Sequence, residues 1–306
     1  MQEVNSKQYP DNFDDEINVL EIFNILWKAK LFIVSLTAFI SVVGVIYSLS
    51  LPNIYKSKAL LVPVNSSSSI SAALGGYGGL AGLAGISLGP GVDDSNSLKA
   101  QEKINSLSFF KNNVLPNIFL PDLMAVNSWD PDTNTLTYDE SKYKTDSNTW
   151  VELPSAQQAY REFGSKLEVS QDKISGFVTV SIKHQSPFIA KQWAELVVNE
   201  VNAYYRQKDK SESEKALSYL NQQISITNLS EIKEVLAQLL QEETKKLMLI
   251  EANEFYVFDY IDPPAAMEIK SEPKRTIIII ISILLGIMLS IILVLLKHYF
   301  SSEKTF

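Results

Sequence analysis

The chain has 306 residues, 20% charged and 46% hydrophobic, with no cysteine, two histidines and a formal net charge of −8. Zero cysteine excludes disulfide staples, thiolate metal sites and cysteine nucleophiles. The distant pair His184 and His298 argues against a histidine-rich metal site.

Residues 1–30 open with a polar tail and then "DDEINVLEIFNILWKAK", Asp14 to Lys30, acidic at its start and basic at its end as a helix dipole prefers. Ile17, Leu20, Phe23 and Trp27 keep the spacing of one apolar helix face, read either as an interfacial helix or as a helical extension of the adjoining apolar run. Residues 31–51 and 276–296 are uncharged runs of 21 residues. As helices each is about 30 Å long, the thickness of a bilayer's hydrocarbon core. The acidic start and the length of the first run argue against a cleaved signal peptide. Two spans leave residues 1–30 and 297–306 on one side and the loop 52–275 on the other. Lys and Arg counts near the span ends are nearly equal, so charge alone does not orient them.

Within the loop, "IYKSKALLVPV" has strand composition. Residues 66–91 hold eight of the twelve glycines, among them Gly75, Gly76, Gly78, Gly79, Gly82 and Gly85, interleaved with leucines and a tyrosine. That pattern reads as a flexible linker or as a mobile apolar loop against a neighbouring chain. Ser95 to Lys111 reads as a helix. The stretch from Trp129 to Trp150 reads as a polar loop, whose Asp130, Asp132 and Asn134 imitate a calcium loop but lack its glycine and its final acid. Ser155 and Gln158 make a capping box, "KLEVSQDKISGFVTVSIKH" a strand pair, and Ser186–Pro187 the start of a long helix. Residues 187–254 read as a long helical hairpin, all-polar at "RQKDKSESEK" and therefore solvated there or packed on other subunits. Its second helix is expected to open on a capping box at Asn228 and Glu231. A last strand, "EFYVFDYID", leads into residues 262–275. The fold class is α+β with a projecting helical hairpin, flanked by two transmembrane helices.

Acids and bases do not converge. Glu242 and Glu243 point about 100° apart on a helix, Asp93 and Asp94 are merely adjacent, and His184 reads as structural. The loop carries 22 Lys and Arg against 28 Asp and Glu with no basic–aromatic interleaving, so nucleic acid is not a partner. The chain reads as no enzyme, with no cofactor and no metal. Other signals remain. Ser282, Gly286 and Ser290 form a small-residue stripe on the second span, echoed more weakly by Gly44 and Ser48 on the first, which suits close helix association. Pro263, Pro264 and Pro273 favour an extended strap that would reach roughly 40 Å and deliver Lys274 and Arg275 to the headgroups.

The order of "DDEINVLEIFNILWKAK", span, "YKSKALLVP", α+β loop, "IDPP…PKR" and second span resembles the polysaccharide co-polymerases, the chain length determinants of bacterial O-antigen synthesis. "LLQEETKKLMLIEANEFYVFDYIDPP" is similar to their last helix and strand, while Met267 stands where they tend to carry another proline. The resemblance implies an inner membrane protein with both termini cytoplasmic, a periplasmic domain and a ring-shaped homo-oligomer. It implies action with the O-antigen polymerase, with lipid-linked polysaccharide as a further contact. On that reading the Gly-rich segment faces the ring interior, and the Ser282/Gly286/Ser290 stripe packs subunits or meets the polymerase. A related class adds a tyrosine kinase after the second span. Here ten residues follow it, so the alternative is a capsule or exopolysaccharide adaptor working with a separate kinase.

Overall fold

The computed structural model describes residues 19–64, 93–253 and 255–302. In chain order these form α1 (Val19–Lys28), α2 (Lys30–Ser50), β1 (Tyr55–Pro63) and α3 (Asp93–Ile104). Short helical turns over 107–117 and α4 (Leu120–Met124) come next, then two small hairpins, β2 (Val126–Asp130) with β3 (Thr135–Tyr138) and β4 (Tyr143–Lys144) with β5 (Thr149–Trp150). The order closes with α5 (Ala156–Lys166), β6 (Leu167–Gln171), β7 (Val178–His184), α6 (Pro187–Ile226), α7 (Ser230–Ala252), β8 (Phe258–Asp262) and α8 (Arg275–Ser302). The chain divides into two units, one formed by the residues up to Pro52 with those from Pro273, the other by Asn53–Glu272.

In the first unit α2 and α8 are both long and apolar enough to cross a membrane. Their packing is inside-out relative to a water-exposed helix pair. Gly44 and Ser48 of α2 and Gly286 and Ser290 of α8 are buried, whereas Leu31, Val34, Phe39 and Ile46 face outward. Apolar side chains outside and small ones inside suit a hydrocarbon solvent, where close backbone approach drives association. A methyl on Gly44 would collide with the Ser282 side chain, its Cβ only 2.6 Å away, and one on Gly286 would press on Thr37 at 3.2 Å. The hydroxyls of Ser282 and Ser290 bond back to the carbonyls of Ile278 and Ile287, each at 2.8 Å. Only Ala29 separates α1 from α2. The Ala29 N–H still bonds Ile25 O and the Ile33 N–H bonds Ala29 O, so α1 continues the span as a nearly unbroken helix.

In the second unit an antiparallel sheet runs β6-β7-β1-β8. The strand pair expected from alternation is β6–β7, turning through Gly176 at φ +73. Val178, Val180 and Ile182 from β7, Ala59 and Leu61 from β1, and Phe258 from β8 are fully buried on one face. Against them lies the first half of α6, with Ala190, Trp193, Ala194, Val197, Val198 and Val201 at helical spacing. Each large side chain so buried contributes on the order of 2 kcal/mol. Phe109, Phe110 and Val114 from the helical turns and Phe163 from α5 close the core.

Capping chemistry sets the helix starts. Both halves of the Ser155–Gln158 capping box form, and Ser186 caps α6 with Pro187 in its first turn. The box expected at Asn228 and Glu231 does not form. Thr227 closes α6 instead, its hydroxyl donating to Gln223 O at 2.7 Å, and α7 begins after Leu229 without a side-chain cap. The expected helix to Lys111 ends at Ile104, because Ser106 caps a new turn at Phe109. The stretch read as a polar loop is two hairpins. Asn134 and Asn148 supply the left-handed turn conformations (φ 52 and 50), which asparagine tolerates. The Asp130 carboxylate closes its own turn by accepting from the Asp132 N–H at 3.0 Å and the Thr133 hydroxyl at 2.8 Å.

Two buried polar side chains lock the core. Asn202 sits in the apolar face of α6, donates to Phe258 O at 2.9 Å and accepts from the N–H groups of Val257 and Phe258 at 2.8 and 2.9 Å. His184 accepts the Ser186 N–H on Nδ1 at 2.9 Å, which places its proton on Nε2, donated to Asp122 O at 2.9 Å. It thereby joins β7, α4 and the start of α6. Burial pushes the imidazole down to about 4.

This packing sets three outcomes. Asn202→Ala strands two N–H groups and a carbonyl and lowers stability by about 3 kcal/mol or more in chemical denaturation, and Asn202→Asp, which loses the donor and sets a buried carboxyl oxygen against Phe258 O, is no milder. For His184 the folded pKa lies below the unfolded one, so its stabilisation is complete above about 6.5 and fades as pH falls toward 4, by on the order of 3 kcal/mol. The stability gap between the native chain and His184→Gln should therefore shrink from pH 7 to pH 4; a constant gap would contradict the assignment. Gly44→Ala should weaken the α2–α8 pair by about 1–3 kcal/mol in detergent, more than Gly286→Ala, and adding Ser282→Gly should restore it.

Candidate functional site

Among the described residues no three His, Cys, Asp or Glu side chains come together as a metal site. The groups that could do acid–base work are engaged structurally. His184 is the hub just described. Burial raises the Asp122 carboxyl, which accepts the Tyr138 hydroxyl at 2.7 Å. Glu243 of the Glu242/Glu243 pair lies 3.8 Å from Lys246, one turn along the same helix. The side chains of Asp93 and Asp94 lie outside the described residues.

The hairpin of α6 and α7 is the larger feature. At 40 residues α6 is about 60 Å long, and only its first half belongs to the core. Its all-polar stretch, expected to be solvated or to meet other subunits, is solvated at Gln207, Lys208, Glu212, Glu214 and Lys215, and its other side packs on the end of α7 in the same chain. Arg206 donates to Asn253 O at 2.7 Å, Tyr256 donates to Asp209 Oδ2 at 2.6 Å, and Lys210 pairs with Glu251. Ser213 is wholly buried there, a small residue that lets the helices approach. Arg206, Asp209 and Lys210 suit a helix–helix seam this close to water because each finds a partner across it, whereas the buried Ser213 hydroxyl finds none.

Along α7 the apolar residues divide into two rows. Leu236, Leu240, Leu247 and Ile250 are partly or fully covered. Ile232, Val235 and Leu239 are 44–55% exposed, and Ile226 and Leu229 at the turn exceed 60%. One partner helix covers one stripe, and α7 carries more apolar width than α6 can bury. A contiguous uncovered row of this kind marks an interaction surface.

The Pro-containing segment is not a free strap. Pro263 is exposed and Pro264 buried, and beyond them the chain continues the path of β8 along the start of β1. Ser57 donates to Ala265 O at 2.8 Å, Ser271 and Glu272 N–H both bond Ile54 O, and Ile54 N–H bonds Glu272 O at 2.9 Å. Prolines cannot donate to a ladder, so side chains and a bridge further on hold this edge. Lys183 pairs with Glu272 at 2.7 Å. Between these two anchors the chain bows outward at Met267–Ile269. Pro273 and Lys274 precede α8, and Arg275 is its first residue.

Of the other residues singled out, Ser282, Gly286 and Ser290 lie on the α8 face turned to α2 of the same chain. Gly75, Gly76, Gly78, Gly79, Gly82 and Gly85 lie outside the described residues. The sequence reading did not single out Asn202. A lone amide among valines at helical spacing was the available signal.

Residues 15–113 match the family model described as chain length determinant protein (Wzz). Residues 221–299 match the model described as G-rich domain on putative tyrosine kinase (GNVR). Among solved structures the chain is similar to a full-length bacterial polysaccharide co-polymerase, at 14% identity and TM-score 0.44, covering 94% of this chain and all of that one. It is also similar to a fragment of WzzB, a polysaccharide co-polymerase from Salmonella Typhimurium, at 13% identity and TM-score 0.30, over 72% of this chain and all of that one. A third is the Shigella flexneri lipopolysaccharide O-antigen chain-length regulator WzzBSF, at 13% and 0.24, over 71% of this chain and all of that one. No curated protein sequence matches the chain. The two family models match separate segments, with residues 114–220 outside both, and it is the first, over residues 15–113, that ties the chain to the chain length determinants.

Proposed function

We propose that this polysaccharide chain length determinant acts on O-antigen, as a non-catalytic homo-oligomer anchored in the bacterial inner membrane and working with the O-antigen polymerase. Both termini are cytoplasmic on this reading and the 53–272 unit is periplasmic. The observation that carries it is the uncovered apolar row Ile232–Val235–Leu239 on a hairpin that the rest of its unit does not bury. A hairpin of this length offers a surface for like hairpins around a ring, and a ring of fixed size gives a growing polymer a repeatable reference. The family match over residues 15–113 supplies the link to polymer length.

A second reading is favoured by one observation, the match of residues 221–299 to a G-rich domain on putative tyrosine kinases. On it the chain serves capsule or exopolysaccharide synthesis with a separate kinase.

The two are separated by lipopolysaccharide electrophoresis. Expressed in a smooth strain lacking its own regulator, with the matching polymerase present, the chain should turn a random O-antigen ladder into a discrete modal band. An unmodulated ladder with confirmed membrane insertion would overturn the O-antigen reading and leave the capsule one. Val235→Glu with Leu239→Glu, which places two charges in the exposed row, should lower the oligomer mass in detergent and broaden the band together. A broadened band at unchanged mass would show that the row meets the polymerase rather than a second copy.

A further inference from the structure

One end of the sheet in the 53–272 unit carries apolar side chains that the described residues leave half or more exposed, or nearly so. Phe188, in the first turn of α6, is 51% exposed, Met267 45% and Ile269 80%. They belong to the end where β1 begins. Tyr55, the first residue of β1, pairs with His184, two residues before the α6 cap. Its ring meets Trp129 edge-on at 5.4 Å, and Trp129 in turn lies 6.5 Å from the Phe188 ring. Met267 and Ile269 occupy the bow of the returning segment, pinned on one side at Ser57 and on the other at Ile54.

Covalent connectivity limits how far this end can stand from a bilayer that α2 and α8 cross. Ile54 lies four residues beyond Ser50, the last residue of α2, and Glu272 three before Arg275, the first of α8. Fully extended, three residues reach about 10 Å and four about 14 Å. The Ile54–Glu272 bridge ties both leads to one point, so neither can pay out further without breaking it. The residue types fit the interfacial layer. Trp129 and Tyr55 are amphipathic rings of the kind enriched at headgroup depth, and the indole N–H is already satisfied by Asn134 Oδ1 at 3.0 Å. Lys270, whose ammonium is 3.0 Å from Asn53 Oδ1, adds a charge that anionic headgroups attract. In water, 80% exposure of an isoleucine is unfavourable, as is half exposure of a phenylalanine or a methionine; at an interface each gains by partitioning.

We propose that Phe188, Met267 and Ile269, backed by Tyr55, Trp129 and Lys270, form a surface that rests in the headgroup layer of the protein's own membrane. The inference rests on α2 and α8 spanning a bilayer and not on which polymer the protein regulates.

The test uses the full chain, which has no cysteine to remove, in vesicles of phosphatidylethanolamine and phosphatidylglycerol. Single spin labels are placed by Ile269→Cys and Phe188→Cys, and their accessibility to oxygen, which concentrates in lipid, is compared with that to a water-soluble nickel chelate. Ile174→Cys, 99% exposed in the turn at the far end of β6–β7, marks the aqueous limit, and Phe39→Cys, 66% exposed on α2, the hydrocarbon limit. The expected result is a several-fold higher oxygen-to-nickel ratio at Ile269 and Phe188 than at Ile174. A ratio equal to that at Ile174 would overturn the proposal. Shielding from both reagents would also overturn it, assigning the surface to a second copy of the chain. An aqueous reading at Phe39 would remove the spanning helices themselves, and the proposal with them.

Discussion

The pairing of β1 with the chain that returns from the far end of the sequence is the interaction on which the 53–272 unit depends. β1 is the first strand in the sequence and an interior strand of the sheet, with β7 on one side and β8 on the other. Its buried Ala59 and Leu61 find their neighbours only after more than a hundred intervening residues have been placed. Long-range antiparallel closure of this kind costs loop entropy before any contact repays it. The cost is offset by a dry face of Val178, Val180, Ile182 and Phe258 packed on α6, and by Asn202, which saturates the β8 backbone from inside the core.

The same closure governs the approach to the second span. Beyond Asp262 the ladder cannot continue regularly, because Pro263 and Pro264 have no N–H to give. The segment is held instead by Ser57, by the Ile54–Glu272 bridge and by the Lys183–Glu272 pair. Prolines here do not make a spacer of fixed length; they make an edge that only discrete contacts can fasten, and leave a bow with Met267 and Ile269 on its outside.

The hairpin uses two kinds of cohesion in sequence along α6. Near the sheet it is an ordinary core helix. Further on, cohesion passes to cross-links between polar groups, Arg206 to Asn253, Asp209 to Tyr256 and Lys210 to Glu251. Burial and the neighbouring Asp209 carboxylate both push the Tyr256 hydroxyl above its ordinary pKa, so it remains a donor across the physiological range. Beyond the cross-links α7 has more apolar width than one helix can cover, and the excess faces outward, where the proposed assembly would use it.

What the sequence determined by itself were features encoded within a few residues. The apolar runs of the two helices, the alternation in β7, the capping box at Ser155–Gln158 and the Ser186–Pro187 helix start are all local patterns whose physics needs no distant partner. Local patterns mislead where two local solutions compete, as at Asn228, where Thr227 closed the preceding helix first, or where asparagine turns convert a polar run into hairpins. Only the tertiary structure decided which partner each long-range group meets. The small-residue stripe of α8 faces α2 of its own chain, the polar run of α6 meets its own hairpin partner, and the proline segment lies against β1. The reason is physical: a stripe, a charge run or a proline tells a segment what kind of neighbour it tolerates, whereas the identity of that neighbour is fixed by closing the whole chain around one core.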